Sequence, residues 1–236
     1  MTFALALLGV FAGALTTLAG QGGGLFLLIV TSFVIGPQKA LALTAPALLL
    51  GNLHRAFSYR RHIDRGIAAR MIAGTVPGAF AGGLLAGAAP PVVLHVMLVV
   101  LASLAIARAV GLLRIGVPRA ALMPAGAVVG AMLGTSGGAG ILFSPILLSA
   151  GLTGRAFVAT TSAIAVAAHV GRVVAYASGG LFTRDLVVPT LLTTFAIFAG
   201  NVLGERIRQR TSEKTTMRLE YGVLAVCVVL SVAGAT

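Results

Sequence analysis

Long apolar, glycine-rich runs fill most of this chain, and they leave little room for a soluble fold. Of the 236 residues, 58% are hydrophobic and only 9% are charged, against roughly 25% charged in ordinary soluble domains. The mean hydropathy is +1.04. The runs are continuous and do not alternate, so they read as membrane helices and not as barrel strands. The fold expected is all-α: a polytopic, multi-pass protein of the cytoplasmic (inner) membrane of the cell.

Seventeen Lys and Arg against five acids give a net charge of +12. Such a balance suits anionic lipid, an anionic substrate or nucleic acid. The charges lie mainly in short connectors, where cytoplasmic Lys and Arg signal topology, so nucleic acid is not expected as a partner. Cys227 is the only cysteine, which excludes a disulfide framework or a cysteine metal site within one chain. The opening MTFALALLGVFAGALTTLAG is similar to a signal-peptide core. It lacks a basic leading region and its glycine-rich end recurs internally, so it is expected to stay in the mature protein.

Sliding the sequence over itself by 116 residues places Gly24-Leu25-Phe26 near Gly140-Ile141-Leu142, Lys39-Ala40 on Arg155-Ala156 and Thr44 on Thr160. With one residue of slippage, Arg55 falls on Arg172 and Tyr59 on Tyr176. Matches that keep their order and include rare residues read as a duplication, with an N-terminal repeat over 1–117 and a C-terminal repeat over 118–236. The helical segments expected are 2–20, 24–36, 39–60, 66–88 and 91–114 in the first repeat. In the second they are 119–135, 140–151, 155–178, 184–206 and 215–235, giving about 8–10 membrane segments in all. A run of about eleven residues reaches roughly 16 Å, half of the ~30 Å hydrocarbon core, so the short runs suggest broken or re-entrant helices.

The basic connectors 55–70 (Arg55, Arg60, Arg61, Arg65, Arg70), 108–119 (Arg108, Arg114, Arg119) and 206–218 are expected in the cytoplasm. Connectors 88–91 and 178–184 then lie outside. Equivalent connectors thus fall on opposite sides, which predicts inverted-topology repeats, a transporter arrangement.

Glycine is poor helix material, yet LAGQGGGLF (18–26) recurs as LGTSGGAGILF (133–143). In an inverted-repeat transporter, non-helical backbone at mid-membrane is tolerated where it lines a cavity. Gly22, Gly23 and Gly24 are expected to lead into a helix from Leu25, and Gly137, Gly138 and Gly140 into one from Ile141. Free amides and a positive dipole end at each helix start suit an anion. Gln21, Thr135 and Ser136 can donate hydrogen bonds beside them. The alternative for any one of these glycines is close helix packing.

A second ring of candidates lies on the third elements: Thr44, Pro46, Asn52, His54 and Arg55, with Thr160, Thr161, Ser162, His169 and Arg172. Ionisable residues inside a membrane are rare and default to function. His169 and Arg172 share a helix face, and Asn52 with Arg55 repeats the spacing. Arginine can grip an oxyanion bidentately, although one near a membrane boundary can also simply snorkel. Lys39 and Arg155 read first as boundary residues. Asp64, Asp185, Glu205, Glu213 and Glu220 fall in connectors or at span ends, which disfavours cation transport.

The order and duplication of the stretches GQGGGLFLLIV…GPQKALALT and GTSGGAGILFSPILL…GLTGRAFVATT resemble the sulfite exporter TauE/SafE family over essentially the whole chain. Ser136 and Ala139 interrupt a second stretch that in the family more often carries consecutive glycines, and Pro46 has Ser162 as its counterpart. The resemblance implies transport of a sulfur-containing anion such as sulfite, sulfoacetate or a related organosulfonate. The function expected is secondary transport by alternating access at a central site. An anion channel, or a carrier of another oxyanion or carboxylate, stays open as the alternative. A membrane enzyme is disfavoured because His54, His62, His95 and His169 are dispersed without acidic partners in the spans. No Walker-type loop appears. The partners expected are a small anionic substrate and membrane lipid, with a homodimer left open. No cofactor and no metal site are expected.

Overall fold

The computed structural model describes residues 2–18, 22–112, 116–208 and 210–233. Among them the chain is all-helical. The first half forms α1 (Thr2–Leu18), α2 (Gly22–Ile35), α3 (Pro37–Ser58), α4 (Arg65–Ala88) and α5 (Pro91–Ala109). The second forms α6 (Leu122–Ser136), α7 (Phe143–Ser149), α8 (Gly154–Ser178), α9 (Arg184–Arg208) and α10 (Glu213–Ala233). Three 3₁₀ turns, Arg60–His62, Arg119–Ala121 and Ala139–Leu142, join them. By length and composition α4, α5, α8 and α9 can each cross a membrane, while α1, α2 and the 139–149 segment are apolar but shorter.

Helix ends follow local chemistry. Gly36, at φ 83, turns the chain so that Pro37 opens α3, two residues before the expected start. The Asp64 side chain accepts from Ile67 N at 2.9 Å and caps α4. The reading of a helix to 114 is corrected: α5 stops at Ala109, with a turn through Gly111 at φ 78.

Two glycine expectations also need correction. Gly22, Gly23 and Gly24 do not precede a helix from Leu25; they form the first turn of α2 itself. The reason is proximity: a Cβ on Gly23 would sit 2.3 Å from Thr16 N, so α1 and α2 touch backbone to backbone there. The second cluster does break the helix. Gly137 caps α6 in the left-handed conformation at φ 74, and the expected single run 140–151 becomes a 3₁₀ turn followed by the seven residues of α7.

The surface is apolar and the interior carries polar groups, as a lipid-embedded chain requires. Val92, Val96 and Val100 expose an apolar stripe on α5, whereas Arg172 is wholly buried.

Packing crosses between the halves: α1 lies on α9, α6 on α4, and α3 on α8. Small residues set the first two seams. Gly74, Gly78 and Gly82 of α4 abut Met123, Ala127 and Ala131, and Gly126, Gly130 and Gly134 of α6 abut Met71, Thr75 and Ala79. Both helices carry glycine every fourth residue, a spacing that lets backbones approach closely. Gly9 and Gly13 meet Ala196 and Ile197 in the α1–α9 seam, and Gly204 meets Ala14 and Thr17. Residue numbers rise together along both seams, so each pair is parallel. Along α3 and α9, Lys39 meets Asp185 and Gly51 meets Asn201; along α4 and α8, Val76 meets Gly171 and Gly83 meets Ala175. These pairs are parallel too. By contrast, Leu41 early in α3 lies by Arg172 late in α8, and Asp64 beyond α3 meets Thr160 early in α8. Hence α1, α3 and α9 point one way and α4, α6 and α8 the other.

Candidate functional site

A cavity of about 230 Å³ lies between the two halves. Thr16, Gly24, Asn52 and Arg55 border it from the first half, and Gly137, Gly138, Gly140, Thr161, Ser162, His169 and Arg208 from the second. Leu25, Leu48, Ile141 and Phe157 supply apolar wall. Arg208 is exposed and ends α9, so it marks the mouth. No carboxylate is among the described residues that line the cavity.

The floor is bare backbone. The positive φ of Gly137 directs the chain out of α6, and a Cβ there would press on Leu28 and Leu41 at 2.7 and 2.8 Å and on Arg172 Nη2 at 3.1 Å. Only glycine fits this bend comfortably.

Arg172 braces that bend from behind. Its Nη1 donates to Gly137 O at 3.3 Å and lies 3.2 Å from His169 Nδ1; Nη2 lies 3.5 Å from Leu41 O. Its guanidinium carbon stands 5.3 Å from the centre of the Tyr176 ring, and the Tyr176 hydroxyl donates to Gly134 O at 2.6 Å. Arginine is always a donor, so His169 Nδ1 is the acceptor and the imidazole proton is assigned to Nε2. His169, which borders the cavity, therefore offers it a hydrogen-bond donor.

The first half repeats the motif. Arg55 Nη2 donates to Asn52 Oδ1 at 3.1 Å, and Asn52 Nδ2 donates to Leu48 O at 2.8 Å. Arg55 Nε is buried without a protein partner, as is Thr161 Oγ1. Both residues border the cavity.

Of the candidate residues, the structure places Gly24, Asn52, Arg55, Gly137, Gly138, Gly140, Ser162 and His169 around this one cavity. It places others elsewhere. Arg172 lies one layer behind the wall. Thr44 bonds back to Ala40 O at 2.8 Å, Thr135 to Ala131 O at 3.0 Å, and Ser136 to Met132 O. Thr160 accepts from Asp64 N at 3.0 Å, and Gly23 serves the α1–α2 contact. Gly22 opens α2, and Gln21 lies outside the described residues. His54 packs edge-on to Phe198, 5.5 Å between ring centres. Lys39 forms an ion pair with Asp185 at 2.8 Å, at the far end of α3 and α9 from Arg55 and Arg208.

Two polar lining residues, Thr16 and Arg208, were not among the sequence candidates. Arg208 sits at the edge of a basic connector that signals topology, and nothing local distinguishes it from its neighbours. Thr16 faces the cavity, though its hydroxyl is bonded to Ala12 O at 2.8 Å.

The family model for the sulfite exporter TauE/SafE matches residues 5–233. The chain belongs to the sulfite exporter TauE/SafE family. Comparison with curated proteins and with solved structures gives no match. Membership in the TauE/SafE family implies anion transport across a membrane, and it agrees with a helical, multi-pass architecture whose cavity presents guanidinium and backbone groups and, among the described residues, no carboxylate.

Proposed function

We propose that this chain is a secondary transporter of a small sulfur-containing anion, namely sulfite, sulfoacetate or a related organosulfonate. It works by alternating access at one central site between two inverted repeats in the cytoplasmic membrane. The observation that carries this reading is the cavity itself: both halves build it, Arg55 borders it with an unpartnered Nε, and no described lining residue is acidic. A cation would find no counter-charge there, whereas an oxyanion meets guanidinium and hydroxyl donors in an apolar-walled space.

The inverted arrangement is supported by helix direction. Under the duplication, α1, α3 and α4 correspond to α6, α8 and α9, and each member of these pairs runs opposite to its counterpart. The two ends of the bundle also differ. One holds the mouth at Arg208, and the other holds the Lys39–Asp185 pair, as expected of a carrier resting in one of two states.

Thermal stabilisation of the purified protein, compared across sulfite, sulfoacetate, taurine, sulfate, phosphate and chloride at matched ionic strength, tests the reading. A ligand at a hundred times its Kd stabilises the folded state by about 2.7 kcal/mol. Selective stabilisation by a sulfur anion supports the assignment. Equal responses to all six contradict a specific site and direct attention to a pore.

A further inference from the structure

Two guanidinium groups border one cavity. Arg55 lies inside, half-buried on α3, and Arg208 stands at the mouth, contributed by the last residue of α9. Among the described residues the one ion pair is Lys39–Asp185, at the opposite end of the same helices, and no carboxylate is among the described residues that line the cavity. Arg208 is held only lightly. Its Nη1 lies 3.4 Å from Thr17 O, one of the last carbonyls of α1, which lack partners within their helix. A basic side chain is favoured at that dipole end, and a contact this long leaves the group able to turn toward a ligand.

Like charges sharing an apolar-walled cavity repel, and the field between them concentrates anions. One negative charge neutralises half of the pair; two neutralise it entirely. We propose that Arg208 is a specificity-determining residue that makes this site prefer doubly charged anions, Arg55 holding one charged end and Arg208 the other. The proposal rests on the anion-carrier reading above and extends it to the charge of the substrate and to a residue outside the duplicated motifs.

The test uses the full-length purified protein and two sulfonates of similar size, sulfoacetate with two charges and 2-hydroxyethanesulfonate with one. Apparent Kd values are taken from thermal stabilisation at fixed ionic strength, for the native chain and for Arg208→Gln and Arg208→Lys. Arg208 is exposed, so both variants are expected to fold, and their melting temperatures without ligand verify this. The native chain is expected to bind sulfoacetate about tenfold or more tightly than the monoanion, a margin that shrinks with added salt. In Arg208→Gln that ratio falls to within about threefold, chiefly through weaker sulfoacetate binding, and Arg208→Lys restores most of it. An unchanged ratio in Arg208→Gln overturns the role of Arg208 while leaving the carrier reading intact. Failure of the native chain to bind either sulfonate overturns this proposal, and failure to bind sulfite as well in the same assay overturns the carrier reading with it.

Discussion

Arg172 donates from Nη1 to His169 Nδ1 across 3.2 Å, one helical turn away, with both side chains buried. Arg55 makes the same kind of contact with Asn52 at 3.1 Å. An arginine anchored to a polar acceptor three residues earlier is thus built twice, once in each half.

Because His169 and Asn52 occupy matching places, His169→Asn recreates the pair of the first half. It keeps an acceptor for Arg172 and a donor for the cavity. Anion uptake into proteoliposomes is expected within about threefold of the native rate. His169→Leu removes both and is expected to lose roughly tenfold or more, the scale of a hydrogen bond to a charged group. Equal loss in the two variants would contradict a hydrogen-bonding role.

Arg172 holds the Gly137 bend against α3 and α8. Arg172→Ala strips the donor from Gly137 O and leaves a void beside Tyr176, so melting should fall by an amount equivalent to about 1–3 kcal/mol, with flux falling further than the loss of folded protein explains. Arg172→Lys keeps the charge but not the forked geometry, and is expected to fold well with reduced flux. Undiminished flux in well-inserted Arg172→Ala would remove this arginine from the mechanism.

Two neighbouring glycines should behave differently. Gly137→Ala must hold φ near 74 and intrude on Leu28, Leu41 and Arg172, so a stability loss of at least about 1 kcal/mol is expected. At Gly140 the nearest atom to a new Cβ is Leu133 Cδ1 at 3.9 Å, and Gly140→Ala should melt like the native protein. Circular dichroism melts of both in one detergent check this.

The α4–α6 seam makes a matching pair of expectations. A Cβ on Gly78 would lie 2.2 Å from Ala127 O, whereas one on Gly222 of α10 meets nothing within 4 Å. Gly78→Ala should force two backbones apart and yield little folded protein. Gly222→Ala should match the native protein or gain up to about 1 kcal/mol. Size-exclusion recovery after membrane extraction reads both.

The helical architecture was legible in the sequence because membrane helices announce themselves by run length, and a shift of the sequence by 117 residues brings Arg55 onto Arg172. The glycines every fourth residue at 74–82 and 126–134 carry a signal of close helix packing in their spacing, but which helices they join is a tertiary fact. What the chain did not display locally was depth. Arg172 and Arg55 look alike in sequence, yet one braces a bend and the other borders the cavity. That difference depends on how α3 and α8 cross. Arg208 reaches the mouth because α9 packs parallel to α1 and α3, a tertiary fact that no local pattern encodes.

Solute counterflow tests the central claim most directly. Proteoliposomes loaded with unlabelled sulfur anion, the one that stabilises the purified protein best, are diluted into a trace of the same anion carrying a radioactive label. A carrier exposing one site alternately to each side should accumulate label transiently above equilibrium, saturably and dependent on Arg55. Monotonic equilibration without overshoot, accompanied by unitary anion currents, would contradict alternating access and identify an open pore.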